Sequence, residues 1–224
     1  MLFCLGWLTL SGTAGAEGPD PRKWPPLLAD SATNLKAGKY EKALAVLKRL
    51  TVEMLDVLAD QKDAGNTFGV VLTQRAIAEA GLGRQEEALW LWHTALSVQP
   101  NLVDSDLSPF GAPAAFLKQN LIVRPPKAET SGVGAVHPVV TKSRNPKYPD
   151  GAYAAGLVGT IEIEVEVDTR GMARAPRVIK APRGPTFVFA AFEAIKDWRF
   201  TPGSVGGEPV PVVLVIEFSF SKVG

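Results

Sequence analysis

Thiol and imidazole chemistry has little material in this chain. Cys4 is the only cysteine, and His93 and His137 are the only histidines. There is no H-E-x-x-H string and no His-x-x-x-His pair, so the familiar helical zinc patterns are excluded. Gly132-x-Gly134 and Gly81-x-Gly83 lack the third glycine of a dinucleotide-binding loop. No nucleophile stands beside a base in any recognisable pattern. The expectation is therefore a protein that is not an enzyme and has no catalytic, cofactor-binding or metal residues. Charge of one sign is missing too. The 24 basic and 23 acidic residues leave a net charge of +1, whereas nucleic-acid binding calls for a strong basic patch. Long apolar runs are also absent. Leu2 to Leu10 is the longest near the start, too short for the roughly 20 residues a bilayer needs.

What is present divides the chain. Residues 1–16 read as a signal peptide: an apolar core is followed by Ala14-Gly15-Ala16, a small-residue cleavage form. Cys4 would leave with it, and a mature chain without thiols fits an oxidising compartment. Basic residues before the apolar core are lacking. Residues 17–28 are polar and proline-rich, a flexible leader.

Residues 29–102 read as a helical domain. Tyr40, Ala43, Leu44, Leu47 and Leu50 form a helical stripe. The string Gly38-Lys-Tyr-Glu-Lys-Ala43 has a counterpart in Gly83-Arg-Gln-Glu-Glu-Ala88, which closes on Pro100. Both resemble the second half of a tetratricopeptide repeat. The glycines are 45 positions apart, against the 34 of that repeat, so about eleven residues are inserted. Asp60 to Gly69 is the natural place. Trp90 and Trp92, two apart, point to different helix faces. One is expected in the core and the other at a contact between domains or in a partner groove. His93 reads as a hydrogen-bonded helix histidine. Residues 103–137 form a proline-rich connection. Ala114 to Leu121 is long enough for a turn or two of helix docking Phe110 and Phe116, and Lys127 to Val136 reads as the true linker.

Residues 138–224 carry the clearest pattern. Ile161, Ile163, Val165 and Val167 alternate with Glu162, Glu164, Glu166 and Asp168. A period of two predicts a strand with one buried and one wet face. Gly171 supplies a turn, and a second strand runs from Ala173 to Lys180. Pro176 within it predicts an edge strand or a bulge. Pro182 and Pro185 introduce a helix whose inner face is Phe187, Ala191, Ala194, Ile195 and Trp198, with Trp198 as core anchor. A final strand is expected from Val210 to Ser221.

The order Tyr148-Pro149, Gly159, Asp168-x-x-Gly171, Ala190-Ala191-x-x-Ala194, Trp198-Arg199-Phe200-x-Pro202, Gly207-x-Pro209-Val210 and a closing apolar strand resembles the TonB C-terminal domain. The resemblance covers about a third of the chain. It implies a small α+β module with an antiparallel sheet in the order strand, strand, helix, strand, which with the helical repeat-like domain before it makes the chain α+β. It also implies a periplasmic or secreted protein, membrane-associated if its N-terminus is uncleaved. Its partner would be a protein or peptide of the cell envelope, such as an outer-membrane TonB-dependent receptor, taken up by strand addition. The residues assigned to that role are Val210, Val212, Leu214, Ile216 and Phe218, supported by Tyr148 and Arg199. The alternative is an envelope scaffold that uses both domains for protein contacts. The chain departs from the family in carrying Val188 and Phe189 where polar residues are usual. With Phe192 these form a second apolar patch, expected to pack on Trp90 or Trp92 or on the Phe110–Phe116 segment. A homodimer is the rival occupant of that patch.

Overall fold

In the computed structural model, residues 20–57, 65–121, 135–182 and 185–221 are described. The signal-like residues 1–16, the first half (60–64) of the suggested insertion Asp60–Gly69 and most of the expected linker, 127–134, lie outside them, while residues 65–69 open a helix. The chain is α+β. Helices come first: α1 (Trp24–Lys36), α2 (Tyr40–Val57), α3 (Gly65–Gly81), α4 (Gln85–Val98) and α5 (Ala112–Gln119). There follow β1 (Ala135–Val136), β2 (Val139–Lys142), α6 (Asp150–Ala154), β3 (Gly159–Val167), β4 (Ala173–Lys180) and α7 (Thr186–Lys196). The chain closes with β5 (Arg199–Thr201), β6 (Gly203–Val205), β7 (Glu208–Val210) and β8 (Val212–Phe220).

Helix α1 starts at Trp24, ahead of Ala29, because Pro25 and Pro26 fit a first helical turn, where an amide hydrogen has no acceptor. Helices α1 and α3 end in the same way. Gly38 and Gly83 take φ of +70° and +76°. The next amide then bonds five residues back, Lys39 to the Asn34 carbonyl and Arg84 to that of Glu79. This is the glycine cap that turns a helix sharply, and it builds two alike helical hairpins. Their apolar stripes close one core around Leu35, Leu47, Met54, Phe68, Leu72 and Trp92, onto which Phe110 and Phe116 also pack.

The second core lies between the sheet and α7. Ile161, Ile163, Val165 and Val167 of β3 face Phe187, Ala191, Phe192 and Ile195 of α7. Each of these side chains larger than Ala191 contributes roughly 1.5–3 kcal/mol on burial. The sheet order is β4-β3-β8. All pairs are antiparallel, and β3 and β8 stay in register over nine positions, from Gly159 opposite Phe220 to Val167 opposite Val212. Between β3 and β4 the register shifts from Glu164–Arg177 to Glu166–Arg174. Ala175, at φ +45°, and Pro176 occupy the shift. Pro176, which has no amide hydrogen to give a ladder, thus sits in an outer strand and at a bulge.

Three expectations need correction. Val210 belongs to β7 and not to the last strand, which begins at Val212, because Pro211 interrupts the ladder. Trp198 is half-buried and not fully enclosed. Its ring meets Phe200 and Phe218 at 6.1 and 5.6 Å, while its indole N–H donates to the Arg144 carbonyl at 2.9 Å. An indole that must keep a polar partner settles at the rim of a core. Finally, the acidic face of β3 is not uniformly wet. Strand β3 is central, so Glu164 is only 6% exposed and accepts from Arg177 of β4 at 3.1 Å.

Candidate functional site

A three-stranded sheet has two outer edges, and here they are treated differently. Helix α4 lies along β4. The Ser97 hydroxyl donates to the Pro176 carbonyl at 3.0 Å. Nearer the start of α4, Glu86 accepts from Arg174 at 2.9 Å and from Arg170 at 3.4 Å. Those hydrogen bonds, Arg174 first, hold the Glu86 carboxyl below the usual carboxylate range. Asp168 continues the network. Burial alone would push it up, but hydrogen bonds from the Met172 amide, the Arg174 side chain and the Arg170 amide hold it low. Glu87 of α4 also pairs with Lys196 of α7.

Strand β8 forms the opposite edge. Among the described residues, no other strand pairs with its outer side. Its side chains divide by parity. Val212, Phe218 and Phe220 are buried, while Leu214 and Ile216 are partly buried against the same core. Val213, Val215, Glu217 and Ser219 line the other face, with Val215 57% exposed. Of the residues assigned to partner contact from sequence, Leu214, Ile216 and Phe218 of β8 pack into their own core, Val212 is buried on the same face, and Val210 lies in β7. What the edge offers is its backbone and the alternate side chains, Val215 and Glu217 above all. Reading β8 as the outer strand would have pointed to them, since alternate residues face opposite sides.

The supporting residues are placed as follows. Tyr148 makes edge-on ring contacts with Tyr153, Phe187 and Phe220 at 5.6–5.7 Å, and its hydroxyl donates to the Leu157 carbonyl. It braces the end of β8. Arg199 donates to the Lys196 and Trp198 carbonyls at 3.2 and 2.7 Å, so its guanidinium caps the end of α7.

The apolar patch is assembled in part. Val188 and Phe192 share a core with Trp90 of α4. Phe189 instead reaches Phe68 of α3, ring centroids 5.5 Å apart. Trp92 does not join them; it is fully buried among the helices. Thr186 donates to the Leu55 carbonyl at 3.2 Å, and Gly151 lies against the Asp56 backbone with no room for a Cβ. His93 is buried beside this junction, 8% exposed. Burial pushes its imidazole down to about 4 from the usual 6.5. It lines a cavity of about 300 Å³ with Leu96, Ser97, Ala175, Pro176 and Arg177. No described helix is long and apolar enough to cross a membrane.

The residues that form this sheet and α7 are similar in sequence to known proteins. Residues 144–221 match the family model of the Gram-negative bacterial TonB protein C-terminal. The chain is 34% identical over 79 residues to Protein TonB of Xanthomonas campestris pv. campestris (strain B100), covering 35% of each chain. It is 29% identical over 86 residues to Protein TonB of Vibrio cholerae serotype O1, covering 38% of this chain and 35% of that one. It thus spans about a third of the length of the curated relatives it matches. A solution NMR structure of the Pseudomonas aeruginosa TonB C-terminal domain aligns at 24% identity and a TM-score of 0.34, over 38% of this chain and 86% of that one. The TonB-like part is the C-terminal third; α1–α5 lie outside the matched residues.

Proposed function

We propose that the TonB-like domain binds an extended segment of a cell-envelope protein by adding it as a strand along the outer side of β8. The observation that carries this reading is the asymmetry of the sheet: α4 lies along β4, while no strand among the described residues covers β8. An uncovered edge offers a row of amide and carbonyl groups that a second chain can complete, with alternate side chains supplying selectivity. In this reading the protein works in the periplasm after removal of residues 1–16. Its partner is an outer-membrane receptor, and its role belongs with TonB-dependent energy transduction or transport.

Hydrogen exchange tests this. Peptides from the periplasm-facing segments of outer-membrane transporters are added to the full chain. Slowed exchange in β8 with β4 unchanged is the expected result. Protection confined to β4 or to the helices, with β8 unaffected, rejects strand addition at this edge.

A second reading is favoured by one observation. Helices α1–α5 lie outside the TonB-like residues and dock on them through Trp90, Phe189 and Thr186. An envelope scaffold would use the tetratricopeptide-like helices to hold one protein and the C-terminal domain to hold another. Co-purification of a partner that survives changes in β8 but not changes on the exposed face of α2 would favour it.

A further inference from the structure

The face of the sheet away from α7 is laid out in rows of charge. In the first row Arg174 of β4 lies opposite Glu166 of β3, and Val213 of β8 comes next. In the second, Arg177 pairs with Glu164, followed by Val215. The third differs. Lys180 lies opposite Glu162, with Nζ and Oε1 3.3 Å apart, but the next position on β8 is Glu217. Directly opposed like charges destabilise a pair of strands. Lys180 is placed to offset only one of the two carboxylates. Glu217 is exposed, sits on the outer strand and has no cationic partner among the described residues. The row reads plus, minus, minus, and the missing plus belongs where a fourth strand would lie.

Resting on strand addition at β8, we infer that the incoming segment carries a lysine or arginine where it passes Glu217. Two and four residues away it carries apolar, preferably β-branched, residues that cover Val215 and Val213. The spacing of two follows from the pleat, which puts alternate residues on one face. A second copy of this chain is a poorer occupant. Residues 212–220 contain no lysine or arginine, so a β8 edge paired with itself cannot supply the cation and leaves both Glu217 carboxylates uncompensated.

The test uses the full chain and three labelled nine-residue peptides. They share an alternating Thr and Val pattern and differ at one central position: Lys, Gln or Glu. At low salt the Lys peptide should bind about fivefold tighter than the Gln peptide, the size of one cross-strand ion pair, and the Glu peptide should bind weakest. Glu217→Lys should reverse the order, and Glu217→Gln should level it. Raised salt should shrink the spread, because exposed pairs are screened. Equal affinities for all three peptides, with β8 amides protected, overturn the basic residue and leave strand addition standing. Failure of all three to bind overturns both. So does self-association of the chain through β8, measured by sedimentation without peptide.

Discussion

The indole of Trp90 stands edge-on to the ring of Phe192, centroids 6.3 Å apart and planes at 69°. Trp90 belongs to α4 and Phe192 to α7, so this aromatic pair, together with Phe68 and Phe189, ties the helical layer to the TonB-like domain. Trp90 is 6% exposed. Trp90→Ala should cost about 3–5 kcal/mol, the usual range for emptying a large aromatic site. Loss of the tie should also separate melting into two transitions by calorimetry. A single transition within a few degrees of wild type would contradict it.

Stability should depend on His93. Its folded pKa lies below its unfolded one, so the unfolded chain binds more protons between the two values and stability rises with pH there. The contribution is complete above about 6.5 and is lost as pH falls toward about 4. Over that window it amounts to about 3 kcal/mol. Urea unfolding of wild type and His93→Gln at a series of pH values checks this. The difference between them should grow from pH 4 to 6.5 and then stay level.

Gly171 has φ of +76°, and a Cβ there would fall on the Phe200 carbonyl oxygen. The same residue accepts a hydrogen bond from the Phe200 amide at 3.0 Å. Gly171→Ala should cost at least about 2 kcal/mol, from left-handed backbone strain and the clash together. Thermal unfolding measures it. Gly206→Ala is the control: its φ is +60° but no atom lies in the way, so its cost should be smaller.

Trp198→Ala should be milder than a core truncation. The ring is half-buried and keeps contacts with Phe200 and Phe218. A loss of about 1–2 kcal/mol is expected by partial burial of a large side chain, read as a lowered midpoint in urea. Trp198→Phe should recover part of the packing but not the hydrogen bond to Arg144.

How far the sequence carried depended on the range of each interaction. Strand β3 was legible because Ile161 to Val167 repeat with the pleat, and α7 because Phe187, Ala191 and Ile195 repeat with the helix. Gly38, Gly83 and Gly171 marked turns for local backbone reasons. Strands β1, β2, β5, β6 and β7 span two to four residues, too few for a period to emerge. The free edge was not legible at all. It depends on Ser97 meeting Pro176, 79 positions away in the chain, and no local pattern encodes that meeting. Glu217, one acid in an apolar strand, resembles a solubilising residue in the sequence. Its meaning emerges only from the register that sets it beside Glu162.

The nine-position register between β3 and β8 has a mechanical side. A pull directed along β8, such as a bound segment under tension would exert, loads that antiparallel ladder in shear. Rungs along the strand then share the force, whereas a pull across the strand would open them one at a time from an end. The same pull reaches β4 through β3, and from β4 it passes to α4 at Ser97 and Glu86. If the chain is held through its helical layer, a load on this edge crosses both ladders of the sheet before it reaches α4.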